Sequence, residues 1–221
     1  MAKQDRAIRT RRLILSAAAE VFEERGFPSA TINEILKKAG VTKGALYFHF
    51  PSKEALAQGV LSEQDGRESV HDQVCKIQQL IDTVMLHAYR LQSDPMVRAG
   101  VRLSLDTQAH GLDRTRAFAG WSKSLEGLLA EARVQGELLP QITVEETADV
   151  LVGAFAGVQA MSQAMSEHGD LLVRTSALLR HVLPSVTHPS VLATVEFGPE
   201  RGEAVAGVVD RPAAGELSPV G

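Results

Sequence analysis

Nearly every patterned stretch of this 221-residue chain repeats its apolar residues at helical spacing, which leaves little room for anything but a helical fold. Ile14, Ala18, Val21 and Phe22 fall at i, i+4, i+7 and i+8, up to a break at Gly26. Thr31-Ile-Asn-Glu34 then reads as a capping box, in which a threonine hydroxyl and a glutamate carboxylate serve each other's free backbone N–H groups. Ile32, Ile35 and Leu36 give that short helix its apolar face. Ala39-Gly-Val41 is a tight break, Thr42 can cap a second short helix through Phe48, and Pro51-Ser52 opens another with Leu56, Val60 and Leu61 inward.

Longer helices follow. Val74, Ile77, Ile81, Val84, Ala88 and Leu91 keep one stripe until Asp94-Pro95, a shorter helix spans Pro95–Leu105, and Gly111-Leu-Asp113 reads as a loop. Phe118, Trp121, Leu125, Leu128 and Ala132 form the next stripe, stopped by Gly136 and Pro140. Thr143-Val-Glu-Glu146 reads as a second capping box, opening a helix apolar on two faces, and Leu171 to Leu183 forms the last strong helix. Past Thr187 the pattern fades, so a short helix at most and then a mobile tail are expected over 187–221. No strand alternation, internal repeat or low-complexity tract is present, and the fold class expected is all-α.

Two short capped helices around a glycine turn are the helix-turn-helix pattern. Ile35, Leu36, Val41, Ala45 and Leu46 would fix the pair at one angle, leaving Thr42, Lys43, Gly44, Tyr47 and His49 outward. Gly44 permits close approach, Lys43 can donate to guanine acceptors, and Thr42 and Tyr47 can reach phosphates. Lys53, at the start of the following helix beside free N–H groups, is expected to clamp phosphate. Thr31 and the basic start, Arg6 and Arg9 foremost, complete the candidate DNA-binding set. Charge agrees: residues 1–53 hold ten Lys/Arg against five Asp/Glu, whereas the remainder holds thirteen against twenty-two.

The stretch Thr31 to Lys53, with Val41-Thr-Lys-Gly-Ala-Leu-Tyr-Phe-His-Phe50 and Ser52-Lys53-Glu54, closely resembles the DNA-binding signature of TetR-type repressors. Arg98-Ala-Gly-Val-Arg-Leu-Ser104, Phe155-Ala-Gly-Val-Gln159 and His181-Val-Leu-Pro-Ser185 resemble the γ-butyrolactone receptor branch of that family. The resemblance implies a helical homodimer, a ligand cavity in the C-terminal domain and repression of antibiotic or morphogenetic genes in an actinomycete. It also implies that a tryptophan in the helix of Trp121 lines the cavity, a position where a core-filling role fits the apolar stripe equally well.

Polar residues interrupting apolar stripes give the remaining candidate ligand contacts: Gln64, His87 and Gln159, with Phe155 beside the last. The two-faced helix at 143–166, with small Ala154, Gly157 and Ala160, suits a contact with its copy and with the 171–183 helix, a four-helix interface of the kind the resemblance implies. His71 and Cys75 stand at i, i+4 and could share a metal, but two ligands do not close a tetrahedral site, so a metal sensor is a minor alternative and no metal and no cofactor are expected. There is no phosphate-binding glycine loop, GxSxG elbow or HExxH helix, and an enzyme is not expected. A start without an apolar core segment, no membrane-length run and a single cysteine suggest a cytoplasmic protein. The organisation expected is therefore a helix-turn-helix DNA-binding domain (1–52) and a ligand-binding and dimerisation domain (53–186). The function expected is a repressor that binds palindromic operator DNA and is released by a γ-butyrolactone-like inducer. Two rivals are a repressor sensing a butenolide or an antibiotic, and a ligand-binding helical protein with no DNA role.

Overall fold

The structure, a computed structural model, describes residues 2–65, 70–106 and 115–210. Among these the regular elements are all helices, with one isolated antiparallel bridge between Leu138 and Thr187. The helices are α1 (Ala2–Ser29), α2 (Ile32–Ala39), α3 (Lys43–His49), α4 (Lys53–Asp65), α5 (Lys76–Ser93), α6 (Pro95–Leu105), α7 (Thr115–Val134), α8 (Val144–Ser166), α9 (Leu171–Val182), α10 (Pro189–Leu192) and α11 (Arg201–Val209). The expected loop at 111–113 lies outside the described residues. The chain divides into two compact units, residues 1–68 with 90–125, and residues 69–89 with 126–221.

In the first unit α1 is the central element, packed on α6, α2 and α4. Its stripe of Ile14, Ala18, Val21 and Phe22 is buried with Ile35, Leu46, Phe50, Leu56, Val60 and Leu103 in one core. Gly26, at φ +72°, breaks the helix where the sequence places the break, a left-handed conformation that favours glycine. Two arginines of α6 hold that end of α1: Arg98 pairs with the Glu23 carboxylate, and Arg102 donates to the Glu23 carbonyl. The Arg102 guanidinium lies over Gly26, where an added Cβ would stand 3.3 Å from Nη2. Gly59 of α4 is required by packing instead, because a Cβ there would meet the Phe50 ring at 2.8 Å and Leu15 at 3.0 Å.

In the second unit α8 and α9 pack against each other. Their turn is fixed by Asp170, which accepts from the Ser162 hydroxyl at 2.6 Å, the Ser166 hydroxyl at 2.7 Å and Arg174 Nε at 2.6 Å. These bonds hold its carboxyl down at about 2. The buried Glu137 accepts from the N–H groups of Lys76 at 3.1 Å and Ile77 at 2.8 Å, and so caps α5 from sixty residues away.

Three features differ from what the sequence pattern predicts. Val74 is 93% exposed and precedes α5, whose first turn begins at Lys76 under the Glu137 cap. Thr143 is the N-cap residue of α8 but makes no side-chain cap bond, and the Thr147 hydroxyl donates to its carbonyl instead. The region after Thr187 carries two helices rather than one at most, and α11 is fastened to α5. Arg201 forks onto the buried Asp82 carboxylate at 2.7 and 2.8 Å, and Val205 and Ala206 pack on Leu86. Gly202 comes so near α5 that a Cβ would stand 2.8 Å from the Met85 carbonyl oxygen. These anchors are scattered polar and small residues without a helical stripe, so periodicity passes over them. Residues 211–221 lie outside the described part.

Candidate nucleic-acid interface and effector site

The α2–α3 pair is built from its caps. The Glu34 N–H donates to Thr31 Oγ1 at 3.2 Å while the Thr31 N–H donates to the Glu34 carboxylate at 3.0 Å, completing the capping box. The Thr31 hydroxyl also donates to that carboxylate at 2.8 Å, and this bond foremost, with the one from the Thr31 N–H, lowers the Glu34 carboxyl below its ordinary value. Gly40 ends α2 at φ +64°, and its N–H returns to the Leu36 carbonyl at 3.0 Å. Thr42 then caps α3 by accepting from the Ala45 N–H at 3.3 Å. Ile35 and Leu46, both fully buried, lock the two helices onto the α1 core, with Leu36 and Val41 beside them.

With one side of α3 so committed, its other side is left to solvent. Thr42, Lys43, Gly44 and Tyr47 are exposed, and the Lys43 ammonium lies 5.9 Å from the Tyr47 ring centre. Around Gly44 there is open space, with nothing within 4 Å of an added Cβ. His49 is half-buried, its ring 5.1 Å from Phe48 and 6.4 Å from Phe50. Phe48, absent from the sequence-derived set, is 80% exposed. Its signal was its register, one turn after Gly44. Arg6 and Arg9 are exposed on α1, and Arg9 with Arg12, Asp5 and Glu63 borders an open hollow of about 670 Å3.

Lys53 is engaged differently from the phosphate clamp expected of it. Its ammonium donates to the carbonyls of Phe27 at 2.6 Å and Ala30 at 2.8 Å and sits 4.5 Å from the centre of the Phe27 ring. A helix end leaves carbonyls without partners and carries partial negative charge, and a lysine ammonium satisfies both. Lys53 thus joins the start of α4 to the end of α1. Lys38 makes a comparable tie from α2, to Glu20 at 2.7 Å and Glu24 at 3.0 Å, which raises its pKa.

Of the ligand candidates, His87 and Phe155 are brought together within the second unit, ring centres 5.4 Å apart and planes tilted by 58°. His87 is buried on α5 and Gln159 is buried on α8. Trp121 is half-buried on α7 in the first unit, one turn before the buried Leu125, whereas Phe118 on the same helix is exposed. The Gln64 side chain lies outside the described residues. The Cys75 thiol donates to Glu137 at 3.6 Å, and burial foremost pushes its pKa up. His71 is exposed. Among the described residues no three His, Cys, Asp or Glu side chains gather as a metal site, and no helix is long and apolar enough to cross a membrane.

Residues 14–60 match the family model described as bacterial regulatory proteins, tetR family. The chain is 40% identical over 196 residues to the A-factor receptor protein of Streptomyces griseus, covering 89% of this chain and 70% of the relative. Its fold matches full-length TylP, a TetR regulator from Streptomyces fradiae, at a TM-score of 0.87 and 45% identity, over 93% of this chain and all of the other. It also matches CprB from Streptomyces coelicolor, solved in complex with its biological operator sequence, at a TM-score of 0.67 and 27% identity over 92% of this chain and 98% of the other. The capped helix pair, the helical body and these likenesses agree: the chain belongs to the TetR family of bacterial transcriptional regulators.

Proposed function

We propose that this regulator is a homodimeric repressor that grips palindromic operator DNA and lets go when a γ-butyrolactone-type signal binds its larger domain. The observation that carries the DNA half is the outward side of α3, where Thr42, Lys43, Gly44 and Tyr47 stand exposed on a helix that both caps and core hold rigid. Residues 1–52 do the gripping, in the cytoplasm, with Arg6 and Arg9 following the backbone, Thr31 and His49 flanking α3, and Lys53 acting through the fold of the domain. The likeness to a relative solved with its operator supports the same half.

The ligand half rests on the likeness to the A-factor receptor protein. Residues 53–186 bind the signal and form the dimer, with Gln64, His87, Trp121, Phe155 and Gln159 as ligand contacts. The genes controlled are those of secondary metabolism or morphogenesis. Two copies of α3 must enter successive major grooves about 34 Å apart. A signal releases DNA only by binding more tightly to a state in which that spacing is wrong. The α6 arginines provide a mechanical route within the first unit, because Arg98 and Arg102 grip α1 at Glu23. Any shift of α6 is passed to the helix on which α2 and α3 are mounted.

A mobility-shift assay with duplex DNA flanking the chain's own gene tests both halves. Binding as a dimer and release by synthetic γ-butyrolactones is the expected result, with butenolides and antibiotics as the competing ligands. A Trp121→Ala variant that keeps operator affinity but resists release assigns Trp121 to the cavity. Loss of thermal stability together with DNA binding assigns it to the core.

A further inference from the structure

The segment around α3 carries two phenylalanines with opposite surroundings. Phe50 is buried, its ring pressed towards Gly59 and lying 5.3 Å beneath the Arg11 guanidinium. Phe48, two positions earlier, is 80% exposed. Isolated apolar side chains in water are ordinary. The location of Phe48 distinguishes it, because it stands one helical turn after Gly44, on the side of α3 that holds the exposed polar residues. Gly44 leaves open space, so this line of the helix has a low step followed by a tall ring, about 6 Å further on. Lys43 and Tyr47 form the adjacent line and supply hydrogen-bonding groups.

A benzyl ring offers a DNA groove no hydrogen bond, and pressing it on a phosphate or a guanine edge would strip water from polar atoms without replacement. The major groove presents one apolar group that loses nothing by such a contact, the C5 methyl of thymine. We infer that Phe48 is a specificity-determining residue that packs on a thymine methyl in each half-site, within about two base pairs of the edge approached by Lys43 and Gly44. This rests on the DNA-binding reading above and deepens it.

The test uses the full-length protein and duplexes enriched by it from a randomised pool. Each thymine is replaced singly by deoxyuridine, which lacks only the methyl. The wild-type protein should lose about fourfold in affinity at one thymine per half-site, the size expected for one buried methyl. Phe48→Ala should bind the thymine duplex more weakly and be indifferent to that replacement, with Phe48→Leu between the two. Melting should be unchanged in both variants because the ring is exposed. An unchanged deoxyuridine penalty in Phe48→Ala, or no sensitive thymine at all, overturns the inference while the enriched duplex leaves DNA binding standing. A pool without any enriched duplex overturns both.

Discussion

Two helices of this protein present to water a side that packing within the chain has not claimed, and the two sides differ in kind. On α3 the exposed set is Thr42, Lys43, Gly44, Tyr47 and Phe48, a mixture of donors, open backbone and one ring. On α8, from Val150 to Met165, it is Val150, Gly153, Gly157, Ala160, Met161, Gln163, Ala164 and Met165, apolar or small but for Gln163 over four turns, with Glu145, Glu146 and Asp149 exposed before it, Ser166 after it and Val173 of α9 exposed nearby in sequence. A polyanion is held by the first kind of surface and not by the second. A flat apolar helix with small residues suits another helix, since Gly and Ala let backbones approach and Met adapts to its neighbour. Under the proposed function α3 is the side for DNA and α8 the side for a second subunit, and each half of that proposal can be broken separately.

The largest effect is expected from Gly157→Glu. Space around Gly157 is open, so the monomer should fold and melt normally. An unpaired charge at the centre of a helix contact is costly, and sedimentation should show a monomer whose operator affinity has fallen by more than about 100-fold. A variant that remains a dimer moves the interface off α8.

Lys43→Ala should act on the other helix alone. One good base contact is worth about 1–3 kcal/mol of discrimination, so selection from a mixed pool should relax while melting and dimerisation stay as they were. Unchanged selectivity would remove Lys43 from base readout.

Lys53→Met sharpens the comparison, because its ammonium lies on the carbonyls of Phe27 and Ala30. Hydrogen bonds to charged groups contribute about 1.5–3 kcal/mol, so the melting point should fall by several degrees. Operator affinity should fall through the loosened domain, without the reduction of about one in salt slope that a lost phosphate contact gives. Normal melting with a reduced slope would restore Lys53 to the phosphate backbone.

The smallest effect concerns acid. Asp170, held down at about 2, contributes stability to the α8–α9 turn above the ordinary aspartate range, and this is lost as pH falls through the folded value. Thermal melts between pH 5 and pH 2 should therefore decline less steeply in Asp170→Asn than in the wild-type chain. Parallel declines would show that the Ser162, Ser166 and Arg174 bonds do not depend on the charge.

Much of this contrast is legible in the sequence, because caps and stripes are local. The Thr31–Glu34 box, the Gly40 turn and the Thr42 cap involve residues at most four apart, and the burial of Ile35 and Leu46 follows from their register. The same local rule failed at Thr143, whose four-residue pattern matches Thr31 but whose side chain makes no cap bond. It also missed Phe48, which the sequence presents as one of four consecutive aromatic residues, of which Phe50 is buried and Phe48 exposed.

By itself the sequence determined that the chain is helical, where most helices begin and end, and which short helix carries the exposed basic and aromatic residues, since each depends on hydrogen bonds and periodicity within a few residues. Only the tertiary structure decided the partners of the charged and polar groups. Lys53 reaches carbonyls more than twenty residues back, Glu137 caps a helix sixty residues earlier, and Arg201 reaches Asp82 across 119 positions. A charge can serve water, phosphate or a backbone carbonyl with similar ease. The choice is made by what folding brings within about 3 Å of it, a distance that no local pattern encodes.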